Sequence, residues 1–147
     1  MKFAVDTNIL VYAEGQENSS HSETARRLLT LRPPRAVVPI QVLGEFFRVM
    51  TGKFSWHRDE ARASILRYAA AFDTLPTTST AFDAALALAD EHRFQIWDAI
   101  ILAVAAEAGC SLLLSEDLHD GFSWSGVTVV NPFVEPMPAK LLRAIQS

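Results

Sequence analysis

The chain opens on an apolar run that ends in a carboxylate, Met1-Lys2-Phe3-Ala4-Val5-Asp6-Thr7-Asn8, followed at once by Ile9-Leu10-Val11-Tyr12-Ala13. A short continuous apolar run reads as a strand buried on both faces. The stretch behind it reads as a helix over 8–14. Asp6 therefore stands at the carboxyl end of a buried strand, the edge of an open α/β sheet where ligands bind. Leu112-Leu113-Leu114-Ser115-Glu116-Asp117 repeats the arrangement late in the chain. Glu45, Asp98 and Asp120 sit at comparable junctions. Several acids converging on one strand edge usually hold a hard divalent cation.

The remaining pattern fits that frame. Strands are expected at 2–5, 36–38, 73–76, 111–114 and 127–130. Helices are expected at 8–14, 21–31, 40–50, 59–72, from the cap Thr78 or Ser79 to about His92, at 97–108 and at 138–145. Pro33-Pro34 stops the second helix, and Pro39 suits the opening of the third. Over 40–50 the apolar residues cover about half the helical circumference, with Gln41, Gly44 and Arg48 opposite and Glu45 at the border. Over 59–72 the inner side comprises Ala61, Ile65, Leu66, Tyr68, Ala69 and Phe72. The segment 97–108 is apolar nearly all round and reads as a buried helix. Strands alternating with helices argue for a parallel sheet with helices on both faces. At 147 residues the chain fits a single domain over 1–147.

Composition excludes some classes. No window reaches the ~18 consecutive apolar residues of a membrane span. Asp6 and Asn8 interrupt the N-terminal apolar stretch, so no signal peptide is expected. A lone cysteine, Cys110, fits a reducing, cytoplasmic compartment. Net charge is −4, but residues 1–67 carry ten Lys/Arg against seven Asp/Glu, and residues 68–147 three against ten. A basic half beside an acidic half suits an anionic substrate approaching an acidic metal site; solvated helix faces would give the same pattern. Arg26, Arg27, Lys53, Arg58 and Arg62 are the expected phosphate contacts.

Each acid has a plainer reading beside the functional one. Asp6 suits a helix N-cap, and so does Asp98. Glu45 suits a helix surface, with Gln41 one turn earlier placed to hydrogen-bond to it. Glu116 and Asp117 compete for one role, and Asx-turn chemistry explains either. Asp120-Gly121 reads as turn punctuation. Thr7, Asn8 and Ser115 are placed to orient neighbouring carboxylates. Oxygen-only ligands favour Mg²⁺ or Mn²⁺. The four histidines show no ligand spacing, and there is neither a Gly-rich phosphate loop nor a nucleophile elbow.

Val5-Asp6-Thr7-Asn8-Ile9-Leu10, Glu45-Phe46, Trp97-Asp98-Ala99-Ile100-Ile101 and Ser115-Glu116-Asp117-Leu118, in that order, resemble the PIN-domain ribonucleases, most closely the VapC-type toxins of toxin–antitoxin pairs. The resemblance implies a three-layer α/β/α fold with a central parallel sheet of four to five strands. It implies catalytic, metal-binding acids at Asp6, Glu45, Asp98 and Asp117, supported by Thr7, Asn8, Ser115 and Glu116. Asp117 is preferred to Glu116 because it stands two residues after Ser115, as the family pattern has it. One or two Mg²⁺ or Mn²⁺ ions, an RNA substrate, a cognate antitoxin and a homodimer follow by the same resemblance. The apolar residues of helices 40–50 and 59–72 are the expected dimer surfaces. The expected chemistry is attack on a phosphodiester by water activated on a metal held by Asp6 and Asp98.

Three rivals are weighed. A non-catalytic PIN-like module would bind RNA or protein without cutting. A response-regulator phosphotransfer domain wants paired acids after the first strand and a late Lys, whereas no Lys lies between Lys53 and Lys140. A haloacid-dehalogenase-like hydrolase wants a second Asp at position 8, which is Asn.

Overall fold

A computed structural model describes residues 1–31 and 35–146. The elements run β1 (Phe3–Val5), α1 (Thr7–Ala13), α2 (Ser19–Leu29), β2 (Ala36–Pro39), α3 (Ile40–Gly52), α4 (Arg58–Ala71), β3 (Asp73–Leu75), α5 (Ser79–His92), α6 (Ile96–Glu107), β4 (Leu112–Leu114), β5 (Ser123–Trp124), β6 (Val127–Val130) and α7 (Ala139–Gln146). The strands form one sheet in the order β3-β2-β1-β4-β6-β5, parallel except for β5. Every residue of β1, β2 and β4 is buried, so helices cover both faces, as the unbroken apolar runs require. Pro33-Pro34 lie outside the described residues.

Local chemistry sets the boundaries. The Thr78 side chain caps α5 by accepting from the Ala81 amide at 3.1 Å. The α6 core, Ala99 to Ala105, is wholly buried against α5 and the sheet. Gly109 then adopts φ +78°, a left-handed turn that returns the chain to β4 within three residues.

The sheet has six strands among the described residues, one more than the upper expectation. The extra one, β5, pairs antiparallel with β6 through Ser125-Gly126, both at positive φ (49° and 86°), the combination a two-residue hairpin turn needs. Phe122 and Trp124 are half-buried and pack on the core. Phe122 meets Phe94 at 4.9 Å between ring centroids. Asp120-Gly121 lie in a turn, as expected, and Asp120 also ties that turn to the end of β6 by accepting from the Asn131 amide at 2.9 Å.

Several apolar residues face out instead of in. Leu66 and Ala69 are exposed on α4, and Ser64 takes an inner place. Ile40 and Trp97 open α3 and α6, and both are exposed. A helix's first turn stands at the rim of the layer, where fewer neighbours cover it.

Candidate active site

The strand order reverses between β1 and β4, which pair in parallel with Val5 opposite Leu114. Neighbouring strands whose crossovers leave in opposite directions open a crevice at their carboxyl ends. Asp6 leaves β1 there, and Ser115-Glu116-Asp117 leaves β4. The ladder runs one residue further, with the Asp6 amide donating to the Leu114 carbonyl at 2.9 Å.

Asp6 is 5% exposed. Its Oδ1 accepts from the Thr7 amide and its Oδ2 from Ser115 Oγ, each at 2.7 Å. Asp6 thus caps α1 while its carboxylate is tied to the β4 loop. Ser115 Oγ also accepts from the amides of Asp117 and Leu118 at 3.2 Å, so one hydroxyl joins Asp6 to the turn that carries Asp117. Burial pushes the Asp6 carboxyl up to about 6, against the lowering effect of its two donors, with the charges of Glu45 and Asp98 adding to the rise.

Glu45 reaches the crevice from α3. Thr7 Oγ1 donates to its Oε2 at 2.7 Å, and Gln41 Nε2 donates to its Oε1 at 3.0 Å, the contact expected from their one-turn spacing. The same Gln41 nitrogen donates to the Trp97 carbonyl at 3.0 Å, bridging α3 to the start of α6. Asp98 stands in the first turn of α6 and is half-buried. Its carboxylate accepts no hydrogen bond among the described residues. Burial raises its pKa, and the charges of Glu45 and Asp117 raise it further.

Glu116 and Asp117 part company. Asp117 is exposed and accepts from Asn8 Nδ2 at 3.2 Å. Glu116 accepts from the Tyr12 hydroxyl at 2.6 Å, and its amide donates to Asn8 Oδ1 at 3.2 Å. His21 Nδ1 approaches Glu116 Oε2 at 3.4 Å without hydrogen-bond alignment. His21 and Tyr12 both pack on Phe133. Asn8 therefore spans the two acids, and the charge of Asp117, not of Glu116, acts on Asp98.

Asp6, Glu45, Asp98, Glu116 and Asp117 line a single pocket with Thr7 and Asn8. The donor set is all oxygen, which by type fits Mg²⁺ or Mn²⁺. Among the described residues no three acidic, histidine or cysteine side chains form a ready-made ligand group. Mutual repulsion between carboxylates favours such spreading, and a cation would remove it.

Of the five cations expected to hold phosphates, Lys53 alone borders this pocket, ion-paired with Glu17. Arg26 donates to the Ala13 carbonyl at 2.8 Å, and Arg27 is exposed on α2. Arg58 lies 5.2 Å over the Phe47 ring and, with Arg62, lines a separate groove between α3 and α4. Arg48 borders the pocket instead, and it has no hydrogen-bond or ion-pair partner among the described residues. Its one-turn spacing from Glu45 was the signal that would have found it.

A direct check on this geometry is Ser115→Ala. Losing the donor that holds the Asp6 carboxylate should move the Asp6 titration above 6, measured by carboxyl-carbon NMR. An unchanged midpoint would break the link between the two residues.

A family model for the PIN domain matches residues 3–122. Among solved structures, a toxin–antitoxin complex from Klebsiella pneumoniae is similar at 22% identity, with 86% of this chain and 96% of that one covered and a TM-score of 0.64. The sarcin–ricin loop cleaving toxin VapC20 from Mycobacterium tuberculosis is similar at 23% identity, with 76% and 87% covered and a TM-score of 0.63. DNA-bound VapBC from Salmonella typhimurium gives 16% identity, 88% and 96% coverage and a TM-score of 0.66. Comparison with curated proteins finds no match. The family match runs from the first residue of β1 through the half-buried Phe122, across every acid of the pocket, and the chain belongs to the PIN-domain family.

Proposed function

We propose that this chain is a metal-dependent endoribonuclease acting as the toxin of a toxin–antitoxin pair. The observation that carries the reading is the convergence of Asp6, Glu45, Asp98 and Asp117 on one pocket at the switch point of the sheet. These four are the proposed catalytic acids, with Thr7, Asn8, Ser115 and Glu116 supporting them. Mg²⁺ or Mn²⁺, when bound, supplies Lewis-acid polarisation of the phosphate and a water of lowered pKa.

The protein's own part is positioning. Ser115 and the Thr7 amide aim the Asp6 carboxylate, and Thr7 Oγ1 and Gln41 aim Glu45. Asp98, without a hydrogen-bonded partner, keeps its oxygens available to a ligand. Asp117 is preferred to Glu116 as the fourth acid because Tyr12 already occupies Glu116. Arg48 and Lys53 offset the charge of the approaching RNA backbone.

The partners belong to the same proposal. Neighbours of this fold were solved as toxin–antitoxin complexes, which supports an antitoxin. Phe47, Ile65 and Leu66 line the open groove between α3 and α4, the face proposed for a second copy. Among the described residues no helix is long and apolar enough to cross a membrane.

The test is incubation of purified protein with a mixed RNA pool, with Mn²⁺ or with chelator. The expected result is discrete fragments with Mn²⁺ and intact RNA with chelator. Intact RNA in both arms, or equal cleavage in both, would reject the reading.

A further inference from the structure

Beside the acid pocket lies a second groove, lined by Gln41, Gly44, Glu45, Arg48, Gln95 and Trp97. Glu45 and Arg48 line both, so the two are continuous. Trp97 is 55% exposed, although it stands two residues before the buried core, Ala99 to Ala105, of the same helix. Its place is fixed: Gln41 holds its carbonyl, and Gln95 Oε1 caps α6 by accepting from the Asp98 amide at 3.3 Å. A side chain built at Gly44 would meet nothing within 4 Å, so the floor beside the indole is open.

From this juxtaposition we infer that the Trp97 groove is a nucleobase subsite, which stacks an unpaired base of single-stranded or looped RNA next to a backbone phosphate contacted by Arg48 beside the acid pocket. Three features carry the inference. An exposed indole is a sequence-tolerant platform for a base face. Arg48, unpaired and shared by both grooves, is a phosphate contact between the base site and the acids. The Gln95 amide nitrogen, which donates to nothing among the described residues, is available to a base edge. A duplex keeps its bases stacked inward, so the subsite selects unpaired RNA. The inference rests on the ribonuclease reading for its ligand, yet binding can be read separately from cutting.

The experiment titrates a short single-stranded RNA, and the same RNA with one abasic position, into wild type, Trp97→Ala, Trp97→Phe and Gly44→Leu, in chelator. Tryptophan fluorescence and anisotropy report binding. Cleavage of the mixed pool in Mn²⁺, with fragment ends mapped, and oligomeric state by light scattering complete the readout. Loss of one stack should weaken binding roughly tenfold in Trp97→Ala, with Trp97→Phe close to wild type. The abasic RNA should bind wild type and Trp97→Ala alike. Gly44→Leu fills the floor and should weaken binding while raising the melting temperature, because Leu is the better helix former. Fragment ends should become less selective in Trp97→Ala. Equal binding and unchanged fragment ends in Trp97→Ala would overturn the subsite while leaving the nuclease intact. Stacking without cleavage by wild type would keep the subsite and remove the nuclease. A dimer that falls to monomer in Trp97→Ala would make the indole a subunit contact and overturn the inference.

Discussion

Asp98→Asn and Asp6→Asn will each lower Mn²⁺-dependent RNA cleavage on the order of a thousandfold, measured as single-turnover rates against wild type. A metal site supplies several kcal/mol of charge stabilisation in the transition state, and each ~1.4 kcal/mol is tenfold in rate. Asn keeps the shape of Asp but carries no charge and one less acceptor. Neither variant should unfold. In Asp6→Asn the amide oxygen still accepts from Thr7, while the new NH₂ faces a Ser115 Oγ that already accepts from the amides of Asp117 and Leu118, a loss of about one hydrogen bond that leaves the fold in place. Among the described residues Asp98 has no hydrogen bond at its carboxylate to lose. The same assay decides the fourth acid: Asp117→Asn should fall far below Glu116→Gln, since Glu116 is engaged by Tyr12. Wild-type rates in Asp6→Asn and Asp98→Asn would remove the proposed chemistry.

The second large effect is on stability against pH. Asp6 titrates at about 6 folded and near its ordinary 3.8 unfolded. Between those values the folded chain binds the extra proton, so stability falls as pH rises through that window. Above pH 6 the penalty of the buried charge is complete, about 3 kcal/mol for a shift of about two units. Urea unfolding in chelator at pH 4 and pH 8 should therefore show Asp6→Asn gaining about 2.5 kcal/mol on wild type between the two, since a little of the penalty has already developed at pH 4. Adding Mn²⁺ at pH 8 should close that gap, stabilising wild type by about 3 kcal/mol at a hundred times its dissociation constant and the variant far less. A wild-type-to-variant difference that stays constant with pH would show that Asp6 is not held against its charge.

The candidate site's convergence on one pocket was legible where backbone position alone brings residues together. Asp6 and the Ser115–Asp117 loop each end an apolar run, and a strand of that composition has one place to go in an α/β fold. Glu45 was visible only through its border position and its spacing from Gln41. Spacing from Ser115 preferred Asp117 to Glu116; what the sequence could not show is that Tyr12, more than a hundred residues away, engages Glu116. Four of the five expected phosphate contacts lie away from the pocket, Lys53 excepted, for a related reason. Charge balance counts cations without placing them, and Arg58 proved to lie on Phe47 while Arg48 turned to the pocket. Periodicity misjudged Leu66 and Trp97 because it states which side a residue takes, not whether anything covers that side. The hairpin of β5 was missed because two residues carry no period; Ser125-Gly126 was its only mark.

The sheet's two borders carry a consequence for assembly. One is the three-residue β3 and the other the two-residue β5. Unpaired strand borders invite recruitment of a further chain by backbone pairing, and keeping them stubby is a recognised defence. Borders this short give an incoming strand almost no ladder to read. Any companion subunit or inhibitor would therefore have to grip helices and loops, through side chains, and would choose this protein by shape and charge rather than by generic strand addition.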